Sequence, residues 1–195
     1  ARVVLAFFCF NESFKGGEVL PQFRKDLEKF IADTIKASYS GKGAPRLVLF
    51  SPIAAEKHRD PNFPDPAPIN QQLAPFVAAM REVAAANNIQ FVDLFAASQK
   101  AYASSKTSLT INGVHLSDDG YKALAPAMFA EVFGDKAPDM VSTGFQKLRA
   151  AITEKNRMWF SRSPTMDAYS DDGGPPPRAH APNTSAHTTH RTAPP

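Results

Sequence analysis

The sequence predicts an α/β domain in which a parallel sheet lies between two layers of helices. Three short apolar runs, VVLAFFCF, RLVLFSPI and IQFVDLF, are continuous rather than alternating, as strands buried on both faces of a parallel sheet are. Longer segments between and after them repeat their apolar residues at spacings of three and four, the period of a helix packed on one side. Strand, helix, strand, helix, strand, loop, helix is the order of βαβ units, whose crossovers are right-handed. Three strands are few for an open sheet covered on both faces, so the pattern also predicts strands upstream of Ala1.

The first strand is expected over residues 2–10, followed by the polar loop NESFKGGEVL, which Gly16 and Gly17 break. A helix from about Pro21 to Ala37 presents Phe23, Leu27, Phe30, Ile31 and Ile35 on one face, with Pro21 suited to its first turn. After the turn SGKGAP, the strand RLVLFSPI ends at Pro52. Residues 54–68, AAEKHRDPNFPDPAP, read as a long proline-rich loop with few apolar residues, the kind of connection that often carries function.

A second helix, about Ile69 to Asn87, carries Ile69, Leu73, Phe76, Val77, Met80 and Val83 at helical spacing, with Pro75 as a bend. IQFVDLF is the third strand, and a short helical or irregular piece near residues 96–104 follows. Ser117 caps the next helix, Asp118 and Asp119 suit the positive end of its dipole, and Tyr121, Leu124, Ala125, Met128, Phe129 and Val132 form its apolar face.

Residues 1–134 make up the domain. Residues 135–162 form a helical extension whose Phe145, Leu148, Ile152 and Trp159 fall on one side, suited to packing on the sheet or on a partner. From residue 163 to 195 the chain is rich in Pro, Ser, Thr, Ala and His without apolar period, and it reads as disordered. His180, His187 and His190 in that tail lack a scaffold to fix metal-ligand geometry.

A chain of 195 residues can bury a substantial core in one domain. Its net charge of +3 comes from basic residues scattered among acids, so no nucleic-acid partner is expected. A single cysteine, Cys9, excludes an intrachain disulfide and leaves the compartment open, export to the periplasm or beyond included. The opening apolar run is too short to span a membrane. Only Arg2 precedes it and no small-x-small pattern follows, so a strand fits better than a signal peptide. No glycine-rich phosphate loop follows a strand, which argues against a nucleotide-binding domain, and no cofactor is implied.

The candidate for chemistry is His115, in a loop that runs directly into a capped helix, with Asn112 three residues before it and Gly113 freeing the backbone between them.

FCFNES at 8–13 and NGVHL at 112–116 together resemble the SGNH (GDSL-type) hydrolase family, with a Gly-x-Asn-Asp/Glu block after a central strand and an Asp-x-x-His block before the last helix. The likeness is nearest to a GDSL-like subgroup of planctomycete-type bacteria, in which KNRMWF-like segments also occur, and it spans about residues 1–160. It implies a flavodoxin-like sandwich and a serine-type ester hydrolase acting on carbohydrate O-acetyl or other short-chain esters. His115 would be the general base and Asn11 an oxyanion-hole donor, while Asn112 would orient the imidazole.

Three departures from the family pattern bear on activity. Asn112 stands where the family has Asp; it can accept from the imidazole but brings no charge. Cys9 replaces a glycine and reads as a buried thiol rather than a nucleophile. No Gly-Asp-Ser block or Gly-x-Ser-x-Gly elbow is present, Pro52 denies Ser51 the exposing turn of such an elbow, and Ser13 reads as a turn residue. The nucleophile is therefore expected upstream of Ala1, these residues alone being inactive. The alternative is a non-catalytic module that binds polysaccharide or a protein.

Overall fold

A computed structural model of the chain describes residues 2–162. The tail expected to be disordered, with its three histidines, lies outside the described residues.

Strands β1 (Val3–Phe7), β2 (Arg46–Phe50) and β3 (Gln90–Val92) form one parallel sheet in the order β1-β2-β3. Val3 pairs with Arg46, Phe7 with Phe50, and Phe50 with Val92. Because the two crossovers step the same way across the sheet, right-handedness puts their helices on the same face. These are α2 (Leu20–Ala37) and α3 (Ala67–Ala86), whose Phe23, Leu27, Ile31, Phe76, Met80 and Val83 pack on Ala6, Leu47 and Leu49.

The opposite face is covered over β2 and β3. Val48, Phe50 and Val92 bury themselves against Val132 and Met128 of α5 (Asp118–Phe133), together with Leu94, the first residue of α4 (Leu94–Ser104). On β1 that face is open. Val3, Leu5 and Phe7 are each about half exposed, at 50%, 48% and 53%, and Phe7 stacks on Phe50 at 4.3 Å. The sheet is thus a three-layer α/β/α arrangement in which, among the described residues, the edge strand lacks one layer.

Several boundaries differ from those predicted. The first strand stops at Phe7. Cys9 takes a left-handed conformation (φ 84°), and the chain turns into the short helix α1 (Phe10–Ser13) instead of an open loop. In α2 it is Thr34, and not Ile35, that completes the buried face. The third strand ends at Val92, because Asp93 caps α4 by accepting from the Ala96 N–H at 2.9 Å.

In α5 the buried residues are Gly120, Leu124 and Val132, and Tyr121 and Ala125 face solvent. Ser117 caps this helix as expected, accepting from the Gly120 N–H at 3.2 Å. Gly120 sets the helix's phase: a Cβ there would stand 2.0 Å from the Leu109 carbonyl oxygen, so only glycine lets the first turn lie against that strand of loop.

A second unit begins at Pro138 and contains α6 (Thr143–Arg162). Within that unit Phe145 is half-buried, while Leu148, Ile152 and Trp159 are exposed. No helix among the described residues is long and apolar enough to cross a membrane.

Candidate active site

Ligands of open parallel sheets bind beyond the strands' carboxyl ends. Three segments gather at that edge here: Cys9–Ser13 after β1, Ser51–Glu56 after β2, and the loop 105–117, which carries His115. The last is not an element of the sheet and has to be fastened to it.

The fastening is the segment 54–56, which the sequence presents as the start of a weakly packing loop. Ala54, Ala55 and Glu56 are buried. The Ala54 N–H donates to Ser98 Oγ at 2.8 Å and its carbonyl accepts from the Tyr102 hydroxyl at 3.1 Å, both residues of α4. Asn70 of α3 bonds both sides of Ala55, accepting from its N–H at 2.8 Å and donating to its carbonyl at 2.9 Å. Every main-chain polar group so buried needs a partner, and here two helices supply them.

Glu56 then reaches into the histidine loop. Its carboxylate accepts from the Leu109 N–H at 2.9 Å and 3.0 Å, from the Thr110 N–H at 2.8 Å and from the Thr110 hydroxyl at 2.6 Å. Its own N–H donates to the Gly113 carbonyl at 2.8 Å. Sequence reasoning missed this residue. The one available sign is a lone acid behind two alanines a few residues past the end of β2, too common a pattern to single out.

The loop closes as a narrow hairpin. Thr110 and Leu116 form an antiparallel bridge, the Ile111 N–H donates to the His115 carbonyl at 2.8 Å, and both the N–H and the hydroxyl of Ser117 donate to the Leu109 carbonyl. At its tip Asn112 Oδ1 receives the Val114 N–H at 3.2 Å and the His115 N–H at 3.0 Å. The same oxygen lies 3.0 Å from His115 Nδ1.

Two backbone donors converging on one atom identify it as the amide oxygen, since the NH2 group would repel both. An oxygen has no proton to give, so Nδ1 must carry the hydrogen of this bond. The neutral imidazole is therefore held as the Nδ1–H tautomer, with the Nε2 lone pair free. Nε2 has no hydrogen-bond partner among the described residues, and His115 is exposed.

Asn11 sits on α1, exposed, at the carboxyl end of β1. Its side chain forms no hydrogen bond among the described residues; Ser13 ties the turn instead, its hydroxyl donating to the Phe10 carbonyl at 2.7 Å. Asn11 lines a shallow cleft of about 240 Å³ with Phe7, Cys9 and Pro52. The structure thus joins Asn112 to His115 directly, and leaves Asn11 on α1 after β1, hydrogen-bonded to neither.

The other nucleophile candidates are committed to the framework. Ser51 is fully buried and its hydroxyl accepts from the Phe95 N–H at 2.9 Å while donating to the Pro52 carbonyl at 3.1 Å. Ser13 is also fully buried. Burial, aided by the Glu12 carboxylate, pushes the Cys9 thiol up to about 12, so it is protonated at neutral pH and cannot serve as a thiolate. The φ of Cys9, 84°, is one that glycine adopts without cost and that is uncommon for a residue with a side chain. Among the described residues no group of three His, Cys, Asp or Glu side chains is arranged to hold a metal ion.

The model of the GDSL-like lipase/acylhydrolase family matches residues 1–123. Comparison with curated proteins finds no match. Among solved structures, a catalytic mutant of an acetylxylan esterase from Geobacillus stearothermophilus is 17% identical with a TM-score of 0.53, over 71% of this chain and 62% of that one. An α/β hydrolase from the metagenome of Lake Arreo, Spain, is 17% identical with a TM-score of 0.51, over 67% of this chain and 59% of that one. The chain therefore spans less than two thirds of these structures, and the likeness is one of fold. Catalytic mutants of the esterase have been solved at a serine, an aspartate and a histidine, the last two three residues apart.

Proposed function

The chain belongs to the GDSL-like lipase/acylhydrolase family, and from that premise we propose that it carries the base and oxyanion half of a serine-type ester hydrolase. The observation that carries the reading is the 3.0 Å contact of His115 Nδ1 with Asn112 Oδ1, an oxygen that already receives two backbone N–H groups, an arrangement that favours the Nδ1–H tautomer and leaves Nε2 to accept a proton. In the proposed reaction a serine hydroxyl attacks the ester carbonyl carbon while its proton passes to His115 Nε2. The Asn11 side-chain N–H stabilises the oxyanion, an unionised donor placed where negative charge develops. The intermediate collapses as the imidazolium returns the proton to the departing alcohol. Water, deprotonated by the same nitrogen, then attacks the acyl carbon, and as the bond to the serine oxygen breaks the imidazolium returns its proton to that oxygen, which frees the acid and restores the serine.

The serine is proposed to lie upstream of Ala1, on a strand that pairs along the free edge of β1 beside a layer covering Val3, Leu5 and Phe7. Two features support this: that apolar face is open, and the described serines near the strand ends are buried and bonded. Short-chain esters, carbohydrate O-acetyl groups first, are the proposed substrates. The acetylxylan esterase shares the fold, and its catalytic aspartate and histidine have the spacing of Asn112 and His115.

The test is to read the coding sequence in frame upstream of Ala1, express the longer protein, and assay 4-nitrophenyl acetate and acetylated xylan with and without His115→Ala. A Gly-Asp-Ser block after an apolar strand, and activity lost in the variant, are expected; residues 1–195 alone should turn over neither ester. Asn112, which lacks the charge of the family's aspartate, favours a second reading, a non-catalytic module that binds polysaccharide. Retained xylan binding without turnover by the longer protein would establish it.

A further inference from the structure

On the reading of His115 as a general base, we infer that Glu56 is its positioning residue, a buried carboxylate that holds the Asn112–His115 turn in the base-competent geometry. Glu56 is 6% exposed and pairs with no cation among the described residues. A carboxylate buried without a counter-charge is costly unless donors surround it. Here the donors are the Leu109 and Thr110 N–H groups and the Thr110 hydroxyl, all from one side of the histidine hairpin.

The connection to the imidazole runs through Thr110 and Gly113. By donating its single proton to Glu56, the Thr110 hydroxyl is left with lone pairs toward the Gly113 N–H, which it accepts at 3.0 Å. The Gly113 carbonyl accepts from the Glu56 N–H at 2.8 Å. Gly113 is therefore gripped on both its polar groups by Glu56, once through Thr110 and once directly. It is the residue between Asn112 and Val114, so its orientation decides whether the Val114 and His115 N–H groups can converge on Asn112 Oδ1. Its φ of +88° is one that glycine adopts without cost. Glutamine cannot replace Glu56: with one oxygen facing Thr110, its NH2 group would meet the Leu109 N–H.

The experiment compares residues 1–195 with Glu56→Gln and Thr110→Val by 15N NMR of the His115 ring, above the pH at which the imidazole loses its charge. Thr110→Val keeps the side chain's shape and removes only the hydroxyl link. The natural chain should hold the Nδ1–H tautomer, and both variants should shift toward the Nε2–H tautomer that an unconstrained imidazole favours, with the Val114 and His115 amide signals moving upfield. A folded variant whose Leu109 and Thr110 amides have moved while the His115 ring and the Val114 amide have not would overturn the inference. If Glu56→Gln shows no cooperative melt, Thr110→Val decides alone. A natural chain in the Nε2–H form would refute the general-base reading, and the Val114 and His115 amide response would still decide the positioning role.

Discussion

Replacing Gly120 by alanine sets helix propensity against packing. Gly120 lies in the first turn of α5, where alanine in place of glycine is worth about 1 kcal/mol of added stability from propensity alone. Against this, the new Cβ would stand 2.0 Å from the Leu109 oxygen, 3.1 Å from its carbonyl carbon and 2.9 Å from Leu116 Cδ2. Two of those atoms are backbone, and Leu109 is tied by its N–H to Glu56, so the helix would have to retreat by about 1 Å or more. Retreat breaks the bonds that Ser117 makes to the Leu109 carbonyl through its N–H at 2.9 Å and its hydroxyl at 3.1 Å. Overpacking of about 1–3 kcal/mol and two hydrogen bonds of about 1 kcal/mol each outweigh the propensity gain, leaving a net loss of roughly 2–4 kcal/mol. For a domain of this size that lowers the melting temperature by about 6–15 °C. Thermal and urea unfolding measure it directly. An unchanged or raised midpoint would refute the reasoning, because it would mean that the histidine loop moves freely relative to α5.

Other outcomes follow from the same geometry. Asn112→Asp supplies the charge that the imidazolium lacks, and in the longer protein kcat should rise by roughly tenfold, about 1.4 kcal/mol of barrier; an unchanged rate would place the limiting step elsewhere. Asn112→Leu removes the acceptor and should cost about 100-fold in kcat with little change in KM. The Cys9 thiol should resist alkylation at pH 8 in the folded chain and react once urea unfolds it. Folding holds that thiol's proton from its ordinary 9.0 up to about 12, so its contribution to stability is complete below pH 9 and is lost as pH rises toward 12. Tyr102, also raised to about 12 by burial, adds a loss beginning near pH 10. Urea midpoints measured from pH 8 to 11 should fall, and Cys9→Ala should flatten the part between 9 and 10.

The sheet was legible because buried parallel strands are continuous apolar runs, and RLVLF, with four of its five residues buried, is a clear case. Ends were less legible: Cys9 stops β1 by a backbone conformation that no propensity assigns to cysteine. The phase of α5 escaped for a tertiary reason. Tyr121 and Ala125 fit an apolar stripe as well as Gly120 does, and only the approach of Leu109 rotates the helix so that glycine faces inward. At the site, the three-residue spacing of Asn112 and His115 was readable because an Asx turn is local in sequence. Glu56 was not, because its partners at 109 and 110 lie far along the chain and its neighbours 57–68 look like solvent-exposed loop.

The 15N spectrum of the His115 imidazole in the natural chain, recorded above the pH at which the ring loses its charge, tests the central claim most directly. A protonated-type Nδ1 with a bare Nε2 is predicted, from the two backbone donors that share Asn112 Oδ1 with the ring. A protonated Nε2 with a bare Nδ1 would contradict it, for then His115 could not take a proton from a nucleophile on its free side.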